Sequence, residues 1–197
     1  MHPRIDPLAE RAPDAVAAWR GLDDDYEAIR ALARAATGPG SVPGLVAQLR
    51  ATADALAAVV AALPEGAFAL PGGEADWNVA EAIGHAADSR AGLVLAASRA
   101  ASGRWPPDAD AVTPGIPGPP DASRGELLKR LALSQRIVER AAPAVVGHER
   151  DDCPLRHDMV GRLTCGEWVL FAAIHDLMHL DQLERLESGL RSAEAAR

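Results

Sequence analysis

Lysine is almost missing from this chain: Lys129 is the only one among 20 basic residues, set against 28 acidic ones. The formal net charge is -8 over 197 residues, and the arginines form no stripe. A nucleic-acid partner needs clustered positive charge to neutralise phosphates, so that class is excluded. Cysteine is scarce too. Cys153 and Cys165 are the only two and do not make a C-x-x-C pair. A disulfide framework is therefore not expected, and a reduced, cytoplasmic chain is the simpler reading. No uncharged apolar run reaches the roughly 18 residues needed to span a membrane, and the first residues carry no apolar leader core. A Gly-rich phosphate loop and a defensible Ser-His-Asp order are both lacking. Aromatics are only 4% of the chain.

Alanine is what the sequence has in abundance. Hydrophobic residues reach 48% and charged ones 24%, ordinary for a globular chain of one-domain length. Ala-rich segments without β-branched runs favour helix over sheet.

The punctuation along the chain predicts an all-α fold. Residues 1–11, with Pro3 and Pro7, read as extended. Pro13 and Asp14 open a helix to about Ala36 that carries the acidic run Asp23-Asp24-Asp25, and Gly38-Pro39-Gly40 breaks it. A second helix spans about Pro43 to Leu63, stopped by Pro64. Asn78 with Glu81 has the capping-box pattern and opens a helix to about Ser102. Ser123 with Glu126 opens another to about Ala142, and Thr164 with Glu167 opens the last, to about Ser188, with Gly189 as its stop. The Pro/Gly-rich stretch 103–122 and the stretch 143–163 read as long irregular connections. The expected architecture is a four-helix bundle with long crossover connections over 41–190, an extra N-terminal helical extension over 1–40 and a flexible tail over 191–197. The Gly-Pro-Gly break makes the extension look dispensable for the bundle core.

The last helix carries the chemistry. Trp168, Ala172, His175, His179, Leu183 and Leu186 fall on one stripe at 100° per residue, so both histidines point inward. An i, i+4 pair lies roughly 6 Å apart along a helix, close enough to share one ion. His85, far upstream on the helix opened by Asn78, is a third candidate. It lines up with the small residues Ser89, Gly92 and Ala96, which leave room for a pocket. Three protein ligands would leave a position open for water or substrate. The plainer alternative is that each histidine hydrogen-bonds another side chain, which also relieves the cost of burial. Asp88, one turn beyond His85, is a candidate to orient that ring, to ligate or to act as acid or base; the alternative is a solvated helix face.

These residues carry a resemblance. Trp77-Asn-Val-Ala-Glu81-Ala-Ile-Gly-His85 resembles the W-x-x-x-E-x-x-x-H segment of the DinB/YfiT-like superfamily of metalloenzymes. Thr164 through Gln182, with His175-x-x-x-His179 and the trailing Gln182, is similar to that family's last helix, and the DinB_2-like branch is the nearest. The resemblance covers about 43–188. It implies His85, His175 and His179 as ligands of a divalent transition metal, zinc or nickel. It also implies a small-molecule substrate, with a hydrolase or a low-molecular-weight-thiol transferase or isomerase as the activity, and by analogy a homodimer. Asp181 departs from the small residue that relatives often carry before the Gln. The alternative function is a non-catalytic, metal-sequestering or stress-related bundle.

Other candidates have plainer readings. His157, beside Asp158, is a candidate acid/base at the pocket rim because histidine titrates near neutrality; His148 reads as exposed. Asp176 is a further acid/base candidate. Cys165 would be favoured as a thiolate by the helix N-terminus, with an inert buried thiol as the alternative. Trp77 and Trp168 are expected in the core near the triad, and Trp105 as a lid or an end seal.

Overall fold

Three reciprocal capping boxes start three of the long helices. The Asn78 side chain accepts the Glu81 N–H at 2.8 Å while the Glu81 carboxylate accepts the Asn78 N–H at 2.8 Å, opening α4 (Val79–Ala101). Ser123 and Glu126 do the same for α5 (Arg124–Ala141). Thr164 and Glu167 do it for the last helix, Cys165–Ala195. Each box satisfies N–H groups that a helix start otherwise leaves without partners, a contribution of about 1 kcal/mol per cap. The computed structural model describes residues 2–21, 26–73, 76–108, 112–113 and 115–195.

In chain order the other helices are α1 (Pro13–Arg20), α2 (Tyr26–Ala36) and α3 (Val42–Ala62), so the last is α6. α4 packs on α5 and α6, and α3 packs on the same two helices. Their apolar faces meet in one continuous core that includes Leu45, Leu49, Leu56, Ile83, Val94, Leu127, Trp168 and Leu170. α3 is long and apolar enough to cross a membrane, but half of that stretch is buried against its neighbours.

Several expectations need correction. The stretch 2–11 is not extended: a 3-10 turn covers Asp6–Glu10 and buries Leu8, and Ile5 just before it is fully enclosed. Two helices, α1 and α2, replace the single one expected to Ala36, and the run Asp23–Asp25 lies outside the described residues. The N-terminal region is no appendage either. Ile5, Leu8, Ala12, Ala15, Val16, Ala18, Ile29 and Ala33 belong to the same core cluster as α3–α6. The Gln48 side chain of α3 even caps α1, accepting the Asp14 and Ala15 N–H groups at 2.9 and 3.1 Å. α6 runs through Gly189 to Ala195, because one helical glycine costs only about 1 kcal/mol.

The connection 143–163 is also ordered. A 3-10 turn (Ala142–Val145) leads to an antiparallel hairpin, β1 (Asp152–His157) and β2 (Gly161–Thr164). Gly161 closes it at φ +69°, a conformation that suits glycine. The fold is thus mostly helical with one small two-stranded sheet.

The Pro/Gly-rich connection between α4 and α5 is a loop as expected, and hydrogen bonds tether its described residues to both β1 and α4. The Thr113 N–H donates to the Arg156 carbonyl of β1 at 2.9 Å, and the Gly118 N–H donates to the Glu81 carbonyl of α4 at 2.9 Å. At the second tether the backbones touch: a Cβ on Gly84 would lie 2.8 Å from the Gly118 Cα.

Candidate metal centre

His85 comes from α4, and His175 and His179 come from successive turns of α6. The i, i+4 spacing stacks the two α6 rings with centroids 4.6 Å apart, and the His85 ring meets them at 5.2 and 5.3 Å. One nitrogen of each lies within 4.8 Å of the others, and all three residues are buried. The three histidines singled out in the sequence therefore converge in the structure.

Two of the rings are held in a defined tautomer. A backbone carbonyl can only accept, so the 2.8 Å contact from His85 Nδ1 to the Ile116 carbonyl places the proton on Nδ1. Its Nε2 then carries the lone pair. The Gln182 amide donates Nε2–H to the Gly72 carbonyl, which turns its oxygen toward His179. His179 Nδ1–H donates to that oxygen at 2.9 Å, so His179 Nε2 also carries a lone pair. Ile116 reaches His85 because the loop lies flat on Gly84, one residue earlier. His175 differs: its Nδ1 is buried with no hydrogen-bond partner. Burial holds its pKa well below the usual value, and His179, His85 and His157 reinforce that in turn. His175 is accordingly a neutral imidazole near pH 7.

The triad sits in the wall of a cavity of about 980 Å³, which His157, Trp77, Ser89, Thr113 and Gly115 also line. Trp77 stands over His85 at 4.8 Å between ring centroids. Fully buried Trp168 packs edge-on against Phe171, and Phe171 carries His157 at 5.2 Å. The hairpin thus delivers His157 to the rim. Its Nδ1 accepts the Met159 N–H at 3.1 Å, which leaves the proton of the neutral ring on Nε2. Burial lowers its pKa, Asp158 raises it, and His85 lowers it.

The other candidates lie elsewhere. Asp88 does not orient His85. It sits on the outer face of α4, where Arg130 of α5 binds both its oxygens at 2.9 Å. The Ile116 carbonyl holds the ring instead, a main-chain group on a loop that no side-chain pattern announces. Asp176 is fully buried, its Oδ2 accepting from Thr52 at 2.7 Å and from Arg90 at 3.0 Å. Cys165 is no thiolate: a hydrogen bond with the Cys153 thiol, and then burial, keep its proton on. Trp105 packs half-buried against the core, and His148 is exposed and paired with Asp151.

Sequence reasoning missed the N-terminal wall of the cavity. His2, Pro3, Trp19, Arg20 and Tyr26 line it together with Asp181, Glu184 and Arg185 of α6. His2 meets Trp19 there in a T-shaped contact at 4.9 Å. Asp181, noted in the sequence as a departure, is on this wall.

In comparison with known proteins, the family described as the DinB superfamily matches residues 48–183. No curated protein and no solved structure matches the chain.

Proposed function

The chain belongs to the DinB superfamily, and we propose that it is a metal-dependent enzyme in which His85, His175 and His179 hold one divalent transition ion, zinc or nickel. The observation that carries this reading is the convergence of three imidazole nitrogens within 4.8 Å on the wall of a cavity. The donor set fits such an ion. Two rings keep Nε2 lone pairs by virtue of Ile116 and Gln182, and the third, His175, is buried with its Nδ1 lacking a hydrogen-bond partner. A bound ion would supply Lewis-acid chemistry, lowering the pKa of a group placed beside it.

The chain's own residues then have separate tasks. Ile116 and Gln182 orient two ligands. Trp77 beside His85 and Phe171 beside His175 flank the triad and limit water on that side. His157 presents its Nε2–H to the rim of the cavity, where it donates a hydrogen bond that positions an acceptor atom of the substrate. The reaction class is hydrolysis of a small molecule, or transfer or isomerisation with a low-molecular-weight thiol as cosubstrate. The same reading takes the protein as cytoplasmic and, by analogy with the family, as a homodimer. It also takes α3 to α6 as a four-helix bundle with long crossovers, supported by the closed ring of contacts α3–α5–α4–α6–α3.

One observation favours the non-catalytic alternative. Of the three acid/base candidates named from the sequence, only His157 lines the cavity; Asp88 and Asp176 are committed elsewhere. Elemental analysis of purified wild type and of the His175→Ala/His179→Ala variant tests the metal assignment. The variant should carry one ion fewer per chain, and equal metal content would overturn the triad. A His157→Gln variant that keeps its metal but loses turnover would separate the enzyme from the sequestering protein.

A further inference from the structure

We propose a second divalent-cation site in the same cavity wall, formed by His2, Asp181 and Glu184 and independent of the histidine triad. One ligand atom from each lies within 4.8 Å of the others. His2 Nδ1 stands 3.2 Å from Asp181 Oδ1 and 3.6 Å from Glu184 Oε2. Asp181 and Glu184 are i, i+3 on α6, one turn apart on neighbouring faces, and the chain's first residues are laid against them.

Charge and hydrogen-bond accounting point to a cation there. Asp181, Glu184 and Glu187 place three carboxylates on successive turns of α6. Arg185 pairs with Asp181 and Arg4 pairs with Glu187, which leaves the Glu184 charge without an arginine. Glu184 is only 6% exposed, so its charge is poorly screened by water. Its Oε1 accepts the Arg4 backbone N–H. Among the described residues no hydrogen-bond donor reaches its Oε2, which faces His2 at a distance longer than a hydrogen bond. His2 Nδ1 can carry at most one proton and already lies closer to Asp181. The largely buried Glu184 side chain thus turns Oε2 toward a nitrogen and a second carboxylate oxygen, three donors close enough together to share one divalent ion.

One imidazole and two carboxylates make a harder donor set than three imidazoles. It suits a first-row ion such as Mn²⁺, whereas the triad suits zinc or nickel. Cation binding here would also fasten residues 2–4 to α6 and complete one side of the cavity.

The test uses the full-length protein, stripped with chelator and reloaded with one equivalent of zinc, which outcompetes Mn²⁺ for the triad. Mn²⁺ uptake is then followed by electron paramagnetic resonance, with zinc content measured separately. Zinc-loaded wild type should bind one Mn²⁺ per chain. Asp181→Asn/Glu184→Gln, nearly isosteric, should weaken that binding by at least about ten-fold, the loss that even an outer partner of a metal ligand brings. His2→Ala, at the chain end where folding is least at risk, should weaken it similarly. No Mn²⁺ uptake by wild type, or equal uptake by these variants, would overturn the second site and reduce the cluster to an ion pair. The triad reading fails separately, through unchanged zinc content in His175→Ala/His179→Ala; that variant should still bind Mn²⁺.

Discussion

Gly84 of α4 and Gly118 of the long loop are in backbone contact, so that a methyl group on Gly84 would sit 2.8 Å from the Gly118 Cα. This contact sets the height of the loop above α4 and brings the Ile116 carbonyl to His85. Gly84→Ala should therefore destabilise the protein by about 1–3 kcal/mol, because the obstructing atom is backbone and must move with its loop. Gly92→Ala, exposed in the same helix with nothing within 4 Å, should stabilise by up to about 1 kcal/mol. Thermal denaturation of the two variants gives opposite signs if the contact is as described, and metal affinity should fall only in the first.

Arg90 supplies the second prediction. From α4, its fully buried guanidinium reaches the Leu49 carbonyl of α3 at 2.7 Å, Ser134 and Gln135 of α5 at 3.1 and 2.9 Å, and Asp176 of α6 at 3.0 Å. Removing one partner of a buried ion pair strands the other, so Arg90→Met should cost about 3–5 kcal/mol. The paired change Arg90→Met/Asp176→Leu should recover most of that loss. Urea denaturation of the single and double variants checks it; a double variant as unstable as the sum of the singles would show that the pair is not the unit that matters.

Acid should weaken the metal-free protein. His175 is buried with its pKa well below the usual value near 6.5, whereas in the unfolded chain it titrates normally. Between those two values the unfolded state binds the extra proton, so stability is highest above about pH 6.5 and declines as the pH falls below it. His157 acts in the same direction. Thermal melts of apo protein from neutral to acid pH should show the decline, and His175→Ala should flatten it. An identical slope in that variant would place the acid sensitivity in other groups.

A chain starting at Ser41 should fail to fold cooperatively. Without residues 1–40 the faces of α3 and α6 that meet Ile5, Leu8, Val16 and Ile29 would be exposed to water. Aggregation, or a broad non-cooperative melt by circular dichroism, is the expected outcome; a soluble, sharply melting fragment would contradict the shared core.

The three capping boxes were legible because each is a local code, two residues three apart whose side chains answer each other's N–H groups. The triad was legible because i, i+4 spacing and an apolar stripe fix direction on a helix. Asp88 misled because its helix is so rich in alanine that no face is marked as inward, and Arg130, its actual partner, lies 42 positions away. The hairpin went unseen because Asp152–His157 interleaves proline and charge with its buried Cys153 and Leu155, and its pairing with Gly161–Thr164 takes its meaning from packing on α4. The role of the N-terminal region was hidden for a related reason. A Gly-Pro-Gly break reports a turn in the chain and says nothing about where the segment before it will lie.

The cavity is assembled from two stretches of different standing. The triad and the Gln182 brace fall inside residues 48–183, which match the family; His2, Trp19 and Tyr26 fall outside them. A protein aligned with this one over the matched stretch could keep the same ion and still admit a different guest, because part of the wall that meets the guest is written in the first 26 residues. Exchange of the leading segment alone would then change what the cavity admits, with the three histidines left in place.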